Sequence, residues 1–377
     1  MDPSLPSRPI YVAQPSLPDL EDFVAHLRSI WDSKTLTNGG PMHQRLEAAL
    51  CEHLGVPHVS LFTNATIALI TALQALELKG EVITTPYSFV ATANSLVWRN
   101  LTPVFVDIDP HTLNLDPAKI EAAITPETSG VLPVHCYGIP CDVDAIETIA
   151  RDRGLKVLYD AAHAFDVQCH CGSILKHGDL SVLSFHATKV FNTFEGGAII
   201  SHSPEMKSRI DQLKNFGIIN ETTVVTAGLN GKMSEVCAAF GLLQLETIDA
   251  QINLRAQVDA NYRSRLSKIP GIRLLSMQNQ ARTNHGYFPV LVDPKIARCT
   301  RDDIYEALAR ENIFSRRYFF PLISDFPMYK HLPSAAAENL PVARAAAAQV
   351  LCLPIYSQLQ PSDQERILSI VERECGV

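Results

Sequence analysis

Short apolar runs recur between residues 81 and 201, each separated from the next by enough chain for a covering helix. That rhythm constrains the fold more than any other feature. The runs are Glu81–Thr85, Thr102–Val106, Gly130–His135, Lys156–Asp160, Ser181–Phe185 and Ala198–Ser201. Strands that alternate with helices predict an α/β fold, with a largely parallel sheet covered by helices on both faces. Ahead of them lie an extended, proline-punctuated arm over residues 1–20, a helix over Leu20–Trp31 and a second over Pro41–Leu54. In that second helix Leu46, Leu50 and Leu54 recur at four-residue spacing, which lines up one apolar face.

A helix from Met233 to about Ile248 and a polar–apolar run over Gln251–Lys268 lead out of this region. The division predicted is a large α/β domain over residues 1–250 and a smaller α+β C-terminal domain over 251–377. The smaller part reads as strands Ile272–Leu275, Tyr287–Val292 and Phe314–Tyr318. Ala335–Ala348 is alanine-rich and predicts a helix with Pro341 near its start. The last helix is expected to open on Ser362-Asp363-Gln364-Glu365, which has the form of a capping box. There is no internal repeat and no long low-complexity tail.

A net charge of −8 and the lack of a basic run argue against nucleic acid as a partner. No run approaches the roughly 18 apolar residues of a membrane span. The start, Met1-Asp2-Pro3-Ser4-Leu5-Pro6, lacks the basic and apolar segments of a secretory signal, which points to the cytoplasm. Nine cysteines scattered along the chain suit reduced thiols in that compartment. Cys169-His170-Cys171 carries metal-ligand types, but a zinc site draws on further ligands at characteristic spacing and no second pair lies nearby. A hairpin or loop with buried thiols, and no metal, is the reading there.

Three stretches carry candidate chemistry. Lys189 follows the apolar run Ser181–Phe185. A lysine held out of water where a strand opens into a turn keeps more of its amine neutral, as a carbonyl-capturing lysine requires. The competing reading is a solvated surface lysine. Asp160 ends the Lys156–Asp160 run, and ligands of open α/β sheets gather beyond the carboxyl ends of strands. A carboxylate there can hold a pyridinium nitrogen protonated, or merely cap a helix. Thr63-Asn64-Ala65-Thr66 joins a strand to the helical run Ile67–Leu78, so that unpaired amides can meet a phosphate, although no glycine-rich signature is present.

In order and spacing these stretches resemble the DegT-type sugar aminotransferases, within the aspartate aminotransferase-like fold type I pyridoxal phosphate enzymes. The matching pieces are Thr63–Thr66, Pro86–Ala93, Pro103–Ile108, Pro133–Gly138, Tyr159–His163, Ser184–Lys189, Glu195–Gly197 and Gly228–Glu235. The resemblance implies a seven-stranded sheet and pyridoxal 5′-phosphate bound through Lys189, with Asp160 on the ring nitrogen. It implies His163 on the phenolic oxygen and Phe89 stacked on the ring. Ser184 and the amides of Ala65 and Thr66 would hold the phosphate, joined by Asn230 from the partner of a homodimer with shared active sites. His186 and Tyr318 would face the substrate.

The same resemblance implies a nucleotide-linked keto sugar as substrate and glutamate as donor, leaving 2-oxoglutarate. Gly39-Gly40-Pro41, Phe185–Thr193 and Arg317–Leu322 look like those of members acting on dTDP-4-keto-6-deoxyglucose to form dTDP-4-amino-4,6-dideoxyglucose. The C4 epimer and amination at C3 remain the alternatives. Relatives that act as dehydratases carry histidine in place of the lysine, which Lys189 contradicts. A sensory or scaffold protein would have no need of Asp160, Ser184 and Lys189 together. Three departures stand out: Ala65 replaces a common glycine, Asp166 replaces another, where a positive φ would strain an aspartate, and the Cys169-His170-Cys171 insert is unusual.

Overall fold

A computed structural model describes residues 8–276 and 281–377. Its largest sheet has seven strands. Their order across the sheet is His58–Phe62, Gly197–Ser201, Leu180–Ser184, Lys156–Asp160, Thr128–Leu132, Glu81–Thr84 and Thr102–Phe105. Only Gly197–Ser201 runs antiparallel to its neighbours; every other pairing is parallel. These strands are buried almost throughout, which is why they read as continuous apolar runs and not as alternating ones.

Register, more than strand content, builds the site. Gly197 pairs with both Phe62 and Ser184, so the carboxyl ends of two strands meet the start of a third in one row. A Cβ at Gly197 would lie 2.7 Å from the Ala65 nitrogen and 2.8 Å from the Asn64 carbonyl carbon, so glycine alone lets the helix start Ala65–Ala75 sit against this row. Asn64 caps that helix, its Oδ1 accepting from the Ile67 amide at 2.9 Å.

The Pro41–Leu54 helix has the expected bounds, with Leu46, Leu50 and Leu54 packed against the large sheet's core, and Gly55 ends it in the left-handed conformation. Helix Leu20–Ser33 is capped by Asp19, whose side chain accepts from Glu21 N at 2.8 Å. Of the N-terminal arm, residues 1–7 lie outside the described residues. Ile10–Tyr11 is a short strand that pairs in parallel with Ile313–Phe314.

Several expectations are corrected. The two segments over Met233–Ile248 and Gln251–Lys268 are one helix, Glu235–Leu266, of 32 residues. Ala238, Ala239 and Ile248 bury against the large sheet, while Val258, Tyr262 and Leu266 bury in the C-terminal core beside Phe288 and Leu353. Switching the buried face between two cores hides the single period that would have announced one helix. The alanine-rich helix begins only at Pro341 and runs to Gln349, because proline fits a first turn but not an interior; Pro333–Ala335 and Ala337–Asn339 are 3₁₀ turns.

The last helix starts at Pro361, not at a capping box on Ser362, and no side chain caps it. A capping box instead opens Arg301–Arg310, where Thr300 and Asp303 exchange bonds. The strand expected over Phe314–Tyr318 stops at Phe314; beyond it Arg316 bridges Cys352, and Pro321 has no N–H to extend a ladder. Val350–Leu353, unforeseen, completes a three-stranded antiparallel sheet with Ile272–Leu274 and Phe288–Val292.

Cys169 and Cys171 are not both buried thiols. They form a disulfide across a hairpin of Gln168–Cys169 with Gly172–Ser173, and Cys171 is exposed. Asp166 does adopt a positive φ, 56°, and its buried carboxylate is offset by Arg282 Nη2 at 2.5 Å and His53 Nε2 at 3.4 Å.

Candidate active site

A cavity of about 270 Å³ opens at the carboxyl ends of the parallel strands. Asn64, Ala65, Thr66, Ser88, Phe89, Asp160, His163, Ser184, His186, Lys189, Tyr287 and Tyr318 are among its walls. Of the residues anticipated from sequence, only Asn230 is not among them; it is exposed on the segment that bridges Asn215.

Lys189 lies in the turn after the Leu180–Ser184 strand, its amide donating to His186 O at 2.8 Å. Its Nζ donates to the Tyr287 hydroxyl at 2.9 Å. Burial brings its pKa down from 10.5 to about 8, against the opposing pull of Asp160, Tyr318 and Cys136. Near neutral pH roughly a tenth of the side chain is then free amine, several hundred times more than for a solvated lysine.

Asp160 ends its strand 5% exposed. Burial pushes its pKa up, while Thr92 Oγ1 at 2.8 Å and the Ala162 amide at 3.1 Å donate to the carboxylate and hold it down. Ser88 Oγ lies 2.8 Å from Thr92 Oγ1, so a hydroxyl pair orients the acid from behind. With the Ala162 amide on Oδ1 and Thr92 on Oδ2, the carboxylate has one donor on each oxygen and lone pairs to spare for a cation in the cavity.

The Tyr137 backbone N–H donates to His163 Nδ1 at 3.1 Å, and burial depresses the imidazole pKa well below its ordinary value. A neutral ring that accepts at Nδ1 carries its proton on Nε2, so His163 is a donor there. Asn284 Nδ2 holds this turn in place through His163 O at 2.9 Å and Phe165 O at 2.8 Å. Phe89 leaves 60% of its surface exposed at the cavity, an apolar face available to a flat ring.

At the other end, the first-turn amides of Ala65 and Thr66 head a helix, whose leading N–H groups have no partner within it and carry partial positive charge. The Ser184 hydroxyl joins them at the same wall. His186 is exposed at the rim, its Nδ1 2.8 Å from Thr188 Oγ1 and its Nε2 3.5 Å from Glu195. Tyr318 also lines the cavity, its carbonyl accepting from the Tyr137 hydroxyl.

The donor set fits pyridoxal 5′-phosphate group by group: a desolvated amine for the aldehyde, a buried carboxylate for the ring nitrogen, a fixed N–H for the phenolic oxygen, and a helix start with a hydroxyl for the phosphate. Sequence reading did not single out Tyr287, Thr92 or Tyr137. Tyr287 meets Lys189 across 98 residues and carries no local signal. Thr92 and Tyr137 lay within stretches noted for their order and without assigned roles.

Fold and cavity together define a fold type I pyridoxal phosphate enzyme. More narrowly, the chain belongs to the DegT/DnrJ/EryC1/StrS aminotransferase family, whose sequence model matches residues 19–372. It is 57% identical over 364 residues to a dTDP-4-amino-4,6-dideoxy-D-glucose transaminase of Shigella dysenteriae, covering 97% of this chain and 98% of that protein. An Escherichia coli protein of the same name is 54% identical over 368 residues, covering 97% of this chain and 98% of its own. The crystal structure of DesI in the presence of its TDP-sugar product superposes with a TM-score of 0.93 at 36% identity, over 98% of this chain and 93% of that one.

Proposed function

We propose that the protein aminates C4 of dTDP-4-keto-6-deoxyglucose, with glutamate as donor, to give dTDP-4-amino-4,6-dideoxyglucose and 2-oxoglutarate. The observation that carries this reading is the 57% identity, over nearly the full length of both chains, with a transaminase named for that product. A second support is that a family member carrying a part-buried lysine at the cavity, its pKa brought down to about 8, has the base transamination needs.

When bound, the cofactor supplies an electron sink conjugated to the reacting carbon. The rest is done by the chain. Lys189 would hold the cofactor through its aldehyde, and its amine, at about 8 the group in the cavity able to take up and return a proton near neutral pH, would serve as the base for the donor's α-proton. Asp160 would pair with the ring nitrogen and keep it protonated. His163 would donate from Nε2 to the phenolic oxygen, and Phe89 would cover one ring face. Ser184 and the Ala65 and Thr66 amides would anchor the phosphate, with Asn230 contributed by the partner of a homodimer. His186 and Tyr318 face the sugar.

Residues 1–250 form the cofactor-binding domain and 251–377 the C-terminal domain in this reading, and the enzyme works in the cytoplasm on a soluble nucleotide sugar. No helix among the described residues is long and apolar enough to cross a membrane. The test is the product. Incubation of the purified protein with dTDP-4-keto-6-deoxyglucose and glutamate should yield a sugar whose proton NMR couplings place an equatorial amine at C4. An axial amine, an amine at C3 or unchanged keto sugar would overturn the assignment.

A further inference from the structure

The hairpin that carries Cys169 and Cys171 is shaped by Gly172, whose φ of 107° is open to glycine and not to other residues. The 3₁₀ turn Ile174–Lys176 then brings the chain back beneath it. As a result His177 Nε2 lies 3.6 Å from Cys169 Sγ and 3.2 Å from Cys171 Sγ. The other ring nitrogen, Nδ1, is 3.2 Å from Glu147 Oε1 on helix Val143–Arg153, and the same oxygen accepts from the Gly178 amide at 2.7 Å. None of these residues lines the Lys189 cavity.

We propose that, once the Cys169–Cys171 disulfide is reduced, Cys169, Cys171 and His177 bind a divalent cation of the zinc class, with Glu147 as the positioning residue for the histidine. Two thiolates and an imidazole are the ligand set that zinc favours over harder cations. Zinc–sulfur bonds of about 2.3 Å and zinc–nitrogen bonds of about 2.0–2.1 Å at tetrahedral angles put sulfur and nitrogen roughly 3.6 Å apart. The two sulfur–nitrogen separations already lie close to that edge. Reduction frees the sulfurs to part to the tetrahedral sulfur–sulfur edge of about 3.8 Å.

The carboxylate on the far ring nitrogen is the companion that metal-ligating histidines usually have; it fixes the tautomer with Nε2 free to ligate. The fourth position falls to water or to His170, exposed on the same turn. Sequence spacing alone argued against a metal because the third ligand comes singly, from the 3₁₀ turn that follows the hairpin and not from a second motif.

A phosphine reductant and water convert the disulfide into two thiols and a phosphine oxide, and the cation then displaces one proton from each thiol. The holoenzyme, reduced with such a phosphine, should be loaded with zinc, dialysed and analysed for metal per chain; cobalt(II) should give a thiolate charge-transfer band. One zinc per chain is expected in the reduced protein and none in the disulfide form. Cys171→Ser and His177→Ala should each abolish stoichiometric retention, and Glu147→Gln should weaken it about 10- to 100-fold. If Cys169→Ser misfolds, the exposed Cys171 keeps the test decisive. Zinc no higher in the reduced wild type than in Cys169→Ser/Cys171→Ser, or equal retention by the disulfide form, would overturn the site.

Discussion

Lys189 Nζ and the Tyr287 hydroxyl share a hydrogen bond of 2.9 Å inside the cavity, where both side chains are part-buried. Burial depresses the lysine to about 8 and pushes the phenol well above its ordinary value, so near neutral pH the tyrosine stays a neutral partner while the lysine titrates. Covalent capture of added pyridoxal 5′-phosphate by the apoenzyme should therefore rise about tenfold per pH unit below 8 and level off above it. Tyr287→Phe leaves the buried ammonium short of an acceptor and should move the midpoint further down, by about one unit. Stopped-flow absorbance measures this, and a midpoint near 10.5 would show that Lys189 is solvated.

The same shift predicts a stability change in the apoenzyme. Unfolded, the lysine keeps its proton up to about 10.5; folded, it sheds it near 8. Between these values the unfolded chain binds more protons, so stability rises with pH across that window. Lys189→Met should flatten this contribution in urea unfolding series at pH 8 and 10. A series as steep as wild type would rule out Lys189 as its source.

Asp160→Asn keeps the shape of the side chain and removes the charge proposed to pair with the ring nitrogen. The rate with glutamate should fall by more than about 10²-fold, the scale for losing one preorganised electrostatic element, while the yellow cofactor remains bound. A rate within a few-fold of wild type would reduce Asp160 to a turn residue, held only by Thr92 and the Ala162 amide.

Asn230 tests the shared site. Lys189→Ala and Asn230→Asp should each be inactive, the second because in the proposed shared site it would turn a carboxylate toward the phosphate. In a co-expressed hybrid dimer carrying different tags, one site gathers both defects and the other has both wild-type residues, so about half of wild-type activity should return. A hybrid as inactive as its parents would mean that both residues serve one chain's site.

What the sequence determined by itself was local or ordered along the chain. The Lys156–Asp160 strand and the Pro41–Leu54 helix have the bounds read from their residues, because buried parallel strands are continuous apolar runs and a glycine closes that helix. Lys189, Asp160 and the helix start at Ala65 were legible because each sits where a strand ends, a position that sequence marks. Tertiary structure decided what depends on contacts between distant segments. It joined two helical patterns into Glu235–Leu266, whose buried face changes core midway, and it paired Ile10–Tyr11 with Ile313–Phe314. It set Tyr287 on Lys189 and Thr92 on Asp160. Such partners meet only after the sheet has set its register, and hydrophobic periodicity reports which face of an element is buried without saying what buries it.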